Sequence, residues 1–300
     1  MLGLVLWLYL VAATPLNSEI FSDMKDYSLA NKGNVAAHDP NILWYNDDFY
    51  LFKGGVNIPF FRASQLDGLW EKVGTVLDNG TIIEKQNRRR PWAPMVTQWR
   101  DRFYLLAIGF ALSDSIRPGS WTDHGAIINS GNGTLSSIYL YNVSNAIDPA
   151  FFADPSTGKP YLQYGSYWGG IFQLSLTDNL TVENPTHLDM NHLVYLPNAS
   201  HGQCCEFSTL GYLKTGSEYS ICVGRSMNVS GLFVDCNGAD LLEGGGSVVY
   251  SSNHEEVYAP GGPGILARTG NDSDVLYYRY CAFSSTDARL GWNYLDYEDG

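Results

Sequence analysis

Positive charge is scarce in this sequence. Eighteen Lys and Arg stand against 31 Asp and Glu, giving a formal net charge of −13. An acidic surface repels phosphate backbones, so nucleic acid is not an expected partner. The one basic run, Arg88-Arg89-Arg90, reads as a solvated loop edge. Charge of either sign is limited to 16% of residues against 45% apolar, a balance that excludes a disordered chain. Cysteine is sparse too. The five are Cys204, Cys205, Cys222, Cys236 and Cys281, and the adjacent pair has no second pair with which to hold zinc. Two disulfides and one free thiol fit an oxidising compartment, with the pairing left open. No G-x-S-x-G elbow, no phosphate loop ending in Gly-Lys-Ser/Thr and no H-x-x-x-H spacing is present. Gly244-Gly245-Gly246 has no helix after it and reads as a tight turn.

Long apolar runs are also missing, so no membrane span is expected. The stretch Met1–Ala13 suits the core of a signal peptide, with small residues Ala12 and Ala13 for cleavage; a buried first strand is the alternative. Residues 1–18 are assigned to that peptide, with cleavage near 13–18, and residues 19–300 to one domain. Seven N-x-S/T sequons, at Asn79, Asn132, Asn142, Asn179, Asn198, Asn228 and Asn271, fit a glycosylated secreted protein.

What the chain does have is turns and aromatics: 31 Gly, 13 Pro, 20 Tyr and 8 Trp. Short aromatic or β-branched runs recur, among them Ile42–Trp44, Phe49–Lys53, Phe103–Ile108, Ser137–Tyr141, Pro160–Tyr164, Gly170–Leu174, Tyr219–Val223, Ser247–Tyr250 and Val275–Tyr280. Each has strand length, and no segment holds a helical period through three turns. Asn46-Asp47-Asp48 and Asp154–Gly158 read as the loops of hairpins. The fold class is therefore all-β. A longer period overlies the strands: His38-Asp39-Pro40, Trp92-Ala93-Pro94, Ile147-Asp148-Pro149 and Tyr258-Ala259-Pro260 each precede an aromatic strand pair. Such a repeat marks propeller blades, each starting on an inner strand near one axis. Asp39 and Asp148, distant in sequence, would meet there. Two carboxyl groups either side of a sugar are what glycoside hydrolysis needs, and aromatic walls stack on sugar faces.

These motifs resemble glycoside hydrolase family 43, in particular its endo-1,5-α-L-arabinanases. The likeness runs from about Ala37 to the end. It rests on Ala37-His38-Asp39-Pro40, Arg90-Pro91-Trp92-Ala93-Pro94, Ser120-Trp121-Thr122-Asp123-His124-Gly125 and Asn145-Ala146-Ile147-Asp148-Pro149. Tyr164–Ile171, Val257–Gly262 and Leu290-Gly291-Trp292 extend it. The resemblance implies a five-bladed β-propeller and an inverting mechanism. It makes Asp39 the general base and Asp148 the second carboxyl, which orients the sugar and raises the pKa of the acid. It places His38, Trp92, Ser166, Tyr167 and Trp168 on the sugar. Arabinan or a related pentose polymer is the implied partner, and a monomer is expected.

The chain departs from the family in three places. Ser200-His201 runs straight into Gly202-Gln203-Cys204-Cys205, where the family carries its acidic Glu and a hairpin, so the acid is missing and the fourth blade is expected to be incomplete with an unpaired edge. Neither Glu206 nor Glu218 aligns with the acid. The family's Trp-Ala-Pro-Asp ends here in Met95. Its axial His, which helps hold an ion, is Arg279, and a guanidinium cannot ligate a metal, so axial calcium is not expected. The sequence also reaches Tyr297–Gly300 inside the last motif, from which a shortened closing strand is expected. Three readings follow: an inverting endo-arabinanase impaired by the lost acid, a non-catalytic glycan-binding propeller, or an exo-acting arabinofuranosidase or β-xylosidase.

Overall fold

The computed structural model describes residues 4–6, 27, 29–84, 87–107, 109–128, 146–166, 170–182, 190–195, 220–253, 256–267, 273–281 and 287–296. They contain strands and one 3-10 turn, Leu241–Glu243, with no α-helix among them. Two early strands, β1 (Leu4–Leu6) and β2 (Asn31–Ala36), pair with distant parts of the chain. Three antiparallel meanders of four strands follow. The first comprises β3 (Asn41–Tyr45), β4 (Asp48–Phe52), β5 (Pro59–Ala63) and β6 (Glu71–Thr75). The second comprises β7 (Met95–Trp99), β8 (Arg102–Leu106), β9 (Phe110–Ser113) and β10 (Thr122–Gly125). The third comprises β11 (Ala150–Ala153), β12 (Pro160–Ser166), β13 (Gly170–Ser175) and β14 (Met190–Val194).

The two remaining sheets draw on the N-terminal part of the chain. Strands β15 (Ser220–Ser226) and β16 (Ser247–Ser251) form a three-stranded sheet with β1. Strands β17 (Tyr258–Leu266), β18 (Val275–Cys281) and β19 (Ala288–Tyr294) take β2 as their fourth. This is a β-propeller with four four-stranded blades. In the last blade β19 pairs with β18 along its whole length, from Val275↔Tyr294 to Cys281↔Ala288, and β2 pairs with β19; Tyr297–Gly300, where a shortened closing strand is expected, lie outside the described residues. Lys32 and Glu256 form an ion pair, and Asn293 Nδ2 donates to Leu29 O, so polar contacts tie β2 down. Residues 196–219, where the gap in the fourth blade is expected, lie outside the described residues; among the described residues the sheet built on β15 and β16 has three strands. Its edge, expected to be bare, is covered over three residues, with Leu4 opposite Ser226 and Leu6 opposite Gly224.

Local chemistry explains the hairpins. Tyr45 faces Asp48 across a two-residue loop in which Asn46 and Asp47 have φ of 49° and 62°. Positive φ at both positions is the type I′ turn that matches strand twist, and Asn and Asp tolerate it. At Asp154 the carboxylate accepts from Ser156 N, Ser156 Oγ and Thr157 Oγ1, and Gly158 supplies a φ of 71°. Both loops are those the sequence predicts.

Five apolar clusters lie between neighbouring sheets. Tyr50, Phe52 and Phe60 meet Val96, Phe103 and Leu105; Tyr104 and Leu106 meet Leu162, Tyr164 and Phe172. Ile42 and Leu51 meet Tyr277, Leu290 and Trp292. Ile221 and Tyr250 meet Tyr278 and Tyr280, and Ile171 and Val194 meet Phe233 and Leu241. The core is thus a series of dry seams, each buried only by two adjacent sheets. Buried Asn41 pins one seam at its inner end, donating to Tyr277 Oη and accepting from Val96 N.

The long repeat has a backbone cause. Asp39, Ala93, Asp148 and Ala259 all precede proline, and their φ values are 50°, 43°, 50° and 51°. A left-handed L-residue costs roughly 1–2 kcal/mol, and proline narrows its choices further. The same strained turn therefore heads β3, β7 and β11 and opens β17, and coincidence among ordinary X-Pro turns does not account for it. Ala93→Gly is expected to hold or raise stability slightly, whereas Ala93→Val should lose about 1–2 kcal/mol. Urea melts of both variants check this; a Val variant as stable as the parent would remove the strain.

Candidate active site

Inner strand β3 lies beside β7 and β17, and β7 lies beside β11, so the strained turns share one end of the sheets. The turn before β3 delivers Asp39 and the turn before β11 delivers Asp148, close enough for their charges to interact. His38 Nδ1 lies 2.7 Å from Asp39 Oδ2; an ionised carboxylate only accepts, so the ring nitrogen donates. Arg279 Nε, reaching in from β18, lies 3.4 Å from Asp39 Oδ1, and its side chain is 6% exposed. The backbone N–H of Ala93 also bonds to this carboxylate, aimed there by the left-handed turn before β7.

Two glycines leave room for the pair. A Cβ on Gly262, whose φ is 52°, would sit 3.4 Å from Asp39 Oδ1 and 3.7 Å from Arg279 Nε. One on Gly54 would sit 3.2 Å from the carbonyl oxygen of His38, which accepts a bond from Gly54 N.

These contacts push the two carboxyls apart in acidity. Burial alone would raise Asp39, but the His38 bond and charge, the Arg279 charge and the Ala93 N–H outweigh it and hold Asp39 below its ordinary value. Asp148 keeps an exposed face yet is largely surrounded by protein. Burial first, and then the charge of Asp39, push it up to about 7, against the weaker pull of Arg279 and His38. One carboxyl is thus ionised at neutral pH while its neighbour readily holds a proton, the division that acid–base chemistry on an uncharged substrate needs.

His38, Asp39 and Asp148 come together as the sequence predicts. Trp92, beside Ala93, is 60% exposed and offers a bare ring to a ligand. Ser166 ends β12 opposite Gly170, so its backbone is placed. Tyr167 and Trp168 lie outside the described residues, as do Ser200, His201, Glu206 and Glu218. Trp121 is half-buried against Phe52. The pairing of Arg279 with Asp39, the Ala93 N–H and the space left by Gly54 and Gly262 are missed by sequence reasoning; the Gly-Gly after Ala259-Pro260 was the one available signal. Cys281 is disulfide-bonded, while Cys222 and Cys236 are free, which leaves room for one disulfide rather than two. Among the described residues, no three of His, Cys, Asp or Glu are grouped to hold a metal ion, and no helix is long and apolar enough to cross a membrane.

Residues 33–293 match glycosyl hydrolases family 43. The chain belongs to that family. It is 54% identical to the "Probable arabinan endo-1,5-alpha-L-arabinosidase D" of Emericella nidulans, covering 100% of this chain and 88% of that one. Their alignment runs over 338 positions against the 300 residues here, so the relative carries extra residues within the matched span. The fold is that of the Cellvibrio cellulosa α-L-arabinanase solved with arabinohexaose, at 24% identity and a TM-score of 0.73, covering 88% of this chain and 93% of that one. It is equally that of an exo-1,5-α-L-arabinanase from a bovine ruminal metagenomic library, at 20% identity and a TM-score of 0.73, covering 90% and 97%. The same fold is thus shared with an α-L-arabinanase and an exo-1,5-α-L-arabinanase.

The raised Asp148 has a consequence for stability. Its proton is held more tightly in the folded chain than in the unfolded one. Stability from this group is therefore greatest below the ordinary carboxyl pKa of ~4, falls as pH rises to about 7, and is level beyond. Asp148→Asn cannot ionise, so its melting temperature should gain on wild type across that window. Thermal melts at a series of pH values decide; parallel profiles would mean that Asp148 titrates as a free carboxyl.

Proposed function

We propose that this chain is a secreted hydrolase of α-1,5-arabinan that works in endo fashion with inversion, on a five-bladed propeller whose fourth blade is built on β15 and β16. Five sheets joined by five apolar seams support the blade count. The observation that carries the function is Asp39, a carboxylate kept ionised by His38, Arg279 and Ala93 and set beside Asp148.

In this reading Asp39 takes a proton from water as the water attacks the anomeric carbon from the face opposite the leaving sugar. Oδ2 is oriented by His38 and Oδ1 by Arg279, so the basic lone pairs are fixed before substrate binds. Asp148 faces the same space and binds sugar hydroxyls, and the Trp92 ring stacks on a sugar face. Departure of the leaving oxygen needs a proton, and the chain lacks the family's Glu after Ser200-His201. Loss of a general acid costs about 10²–10⁴-fold in rate.

Export is supported by the apolar Met1–Ala13 stretch and by sequon residues Asn79, Asn179 and Asn228, which are all exposed. If the leader is cleaved, β1 goes with it and the β15 edge is left open.

Reducing-sugar release from linear 1,5-arabinan, for wild type beside Asp39→Ala, tests the reading. Slow release of oligosaccharides by wild type and none by the variant is expected. Monosaccharide products would shift the assignment to exo action. Silence in both folded proteins, with retained affinity for arabino-oligosaccharides, would replace hydrolysis by glycan binding.

A further inference from the structure

Arg279 is among the most deeply buried charges described, and it sits on a strand the carboxylates do not share. It belongs to β18, opposite Gly261 on β17 and Leu290 on β19. From there its guanidinium crosses to the head of β3, with Nε 3.4 Å from Asp39 Oδ1. Burying a guanidinium is costly unless an opposite charge is nearby, and removing one partner of such a pair leaves the other uncompensated. Gly262 lies beside the pair with a φ of 52°, and a Cβ there would touch both Asp39 Oδ1 and Arg279 Nε, at 3.4 Å and 3.7 Å.

We propose that Arg279 is a positioning residue that holds the Asp39 carboxylate ionised and oriented, acting as a built-in cation where the family resemblance implies a bound ion. The residues present do not suit such an ion. A fixed positive charge already lies against the carboxylate that would attract it, and arginine has no lone pair to offer. The other groups facing Asp39 are His38 on its own turn, the Ala93 N–H from the turn before β7, and Asp148 from the turn before β11. His38 and Ala93 favour the anion and Asp148 opposes it, so loss of Arg279 leaves Asp148 less balanced.

The inference deepens the assignment of Asp39 as base but is tested without substrate. The carboxyl carbons of the full chain are followed by carbon-13 NMR against pH, with Asp39→Asn to assign the Asp39 signal. Arg279→Gln is expected to raise the Asp39 midpoint by about one pH unit or more, as removal of an opposite charge at this distance does. Arg279→Lys, which keeps a charge, should move it much less. An Asp39 midpoint within a few tenths of wild type in folded Arg279→Gln would overturn the proposal, as would stoichiometric calcium in extensively dialysed wild type.

Should Arg279→Gln fail to fold, the double variant Asp39→Asn/Arg279→Gln carries the test. Its melting temperature should exceed that of Asp39→Asn alone, which removes the carboxylate charge beside the guanidinium; no recovery would sink the pairing. Absence of arabinan hydrolysis together with the expected titration would remove the functional reading and leave this one standing.

Discussion

A left-handed residue locked in front of a proline is the constraint from which the site is built. At an ordinary loop this conformation would relax, because L-residues pay a steric penalty there and the following ring removes alternatives. Here it recurs at Asp39, Ala93, Asp148 and Ala259, at the heads of neighbouring inner strands. The reversals at Asp39 and Asp148 bring their side chains together, whereas the Ala259 N–H donates to Ser252 Oγ. At two positions the side chain is a carboxylate. At Ala93 the side chain is inert and the amide is what matters, since it bonds to the Asp39 carboxylate. Backbone strain held by the surrounding sheets is a common way to fix reactive groups before a ligand arrives.

Electrostatics then divides labour between two identical functional groups. Asp39 and Asp148 share residue type, turn and φ, yet their protonation differs because their partners differ. Asp39 has His38 and Arg279 at hydrogen-bond or ion-pair distance. At Asp148 burial and the charge of Asp39 outweigh the pull of Arg279 and His38, and it is pushed up to about 7. The asymmetry depends first on the His38 hydrogen bond to Asp39 and then on the Arg279 charge reaching in from another blade. A lysine could bring charge, but not a planar group held by several donors.

The strands, their hairpin loops and the Asp-Pro and Ala-Pro repeat were legible in the sequence because each has a local signal. Asn46-Asp47 calls for a type I′ turn, and β4 reads as a run of aromatic and aliphatic residues whatever its partners. Long-range pairings carry no such signal. Nothing in Asn31–Ala36, an exposed and polar strand, announces that it closes the last blade beside β19. Arg279 read as a lost metal ligand because the resemblance supplied a histidine for comparison. Only the register that sets it opposite Gly261, with Gly262 next door, shows the reach to Asp39. The disulfide count failed for the same reason: cysteine spacing does not say that Cys222 is buried as a free thiol.

A sheet with one strand fewer need not spoil this site, and the seams explain why. Each sheet buries its apolar faces only against its two neighbours, so damage stays local, as in other repeat architectures. The three-stranded sheet packs on the last blade through Ile221, Tyr250 and Tyr278, and its connecting segment reaches the third through Phe233 and Leu241. Asp39, Ala93, Asp148 and Arg279 all come from the four complete blades. A change confined to the other sheet therefore leaves the group around the Asp39 carboxylate assembled. The Asp39 group and the three-stranded sheet are thus carried by separate parts of the chain, and one can vary without unfolding the other.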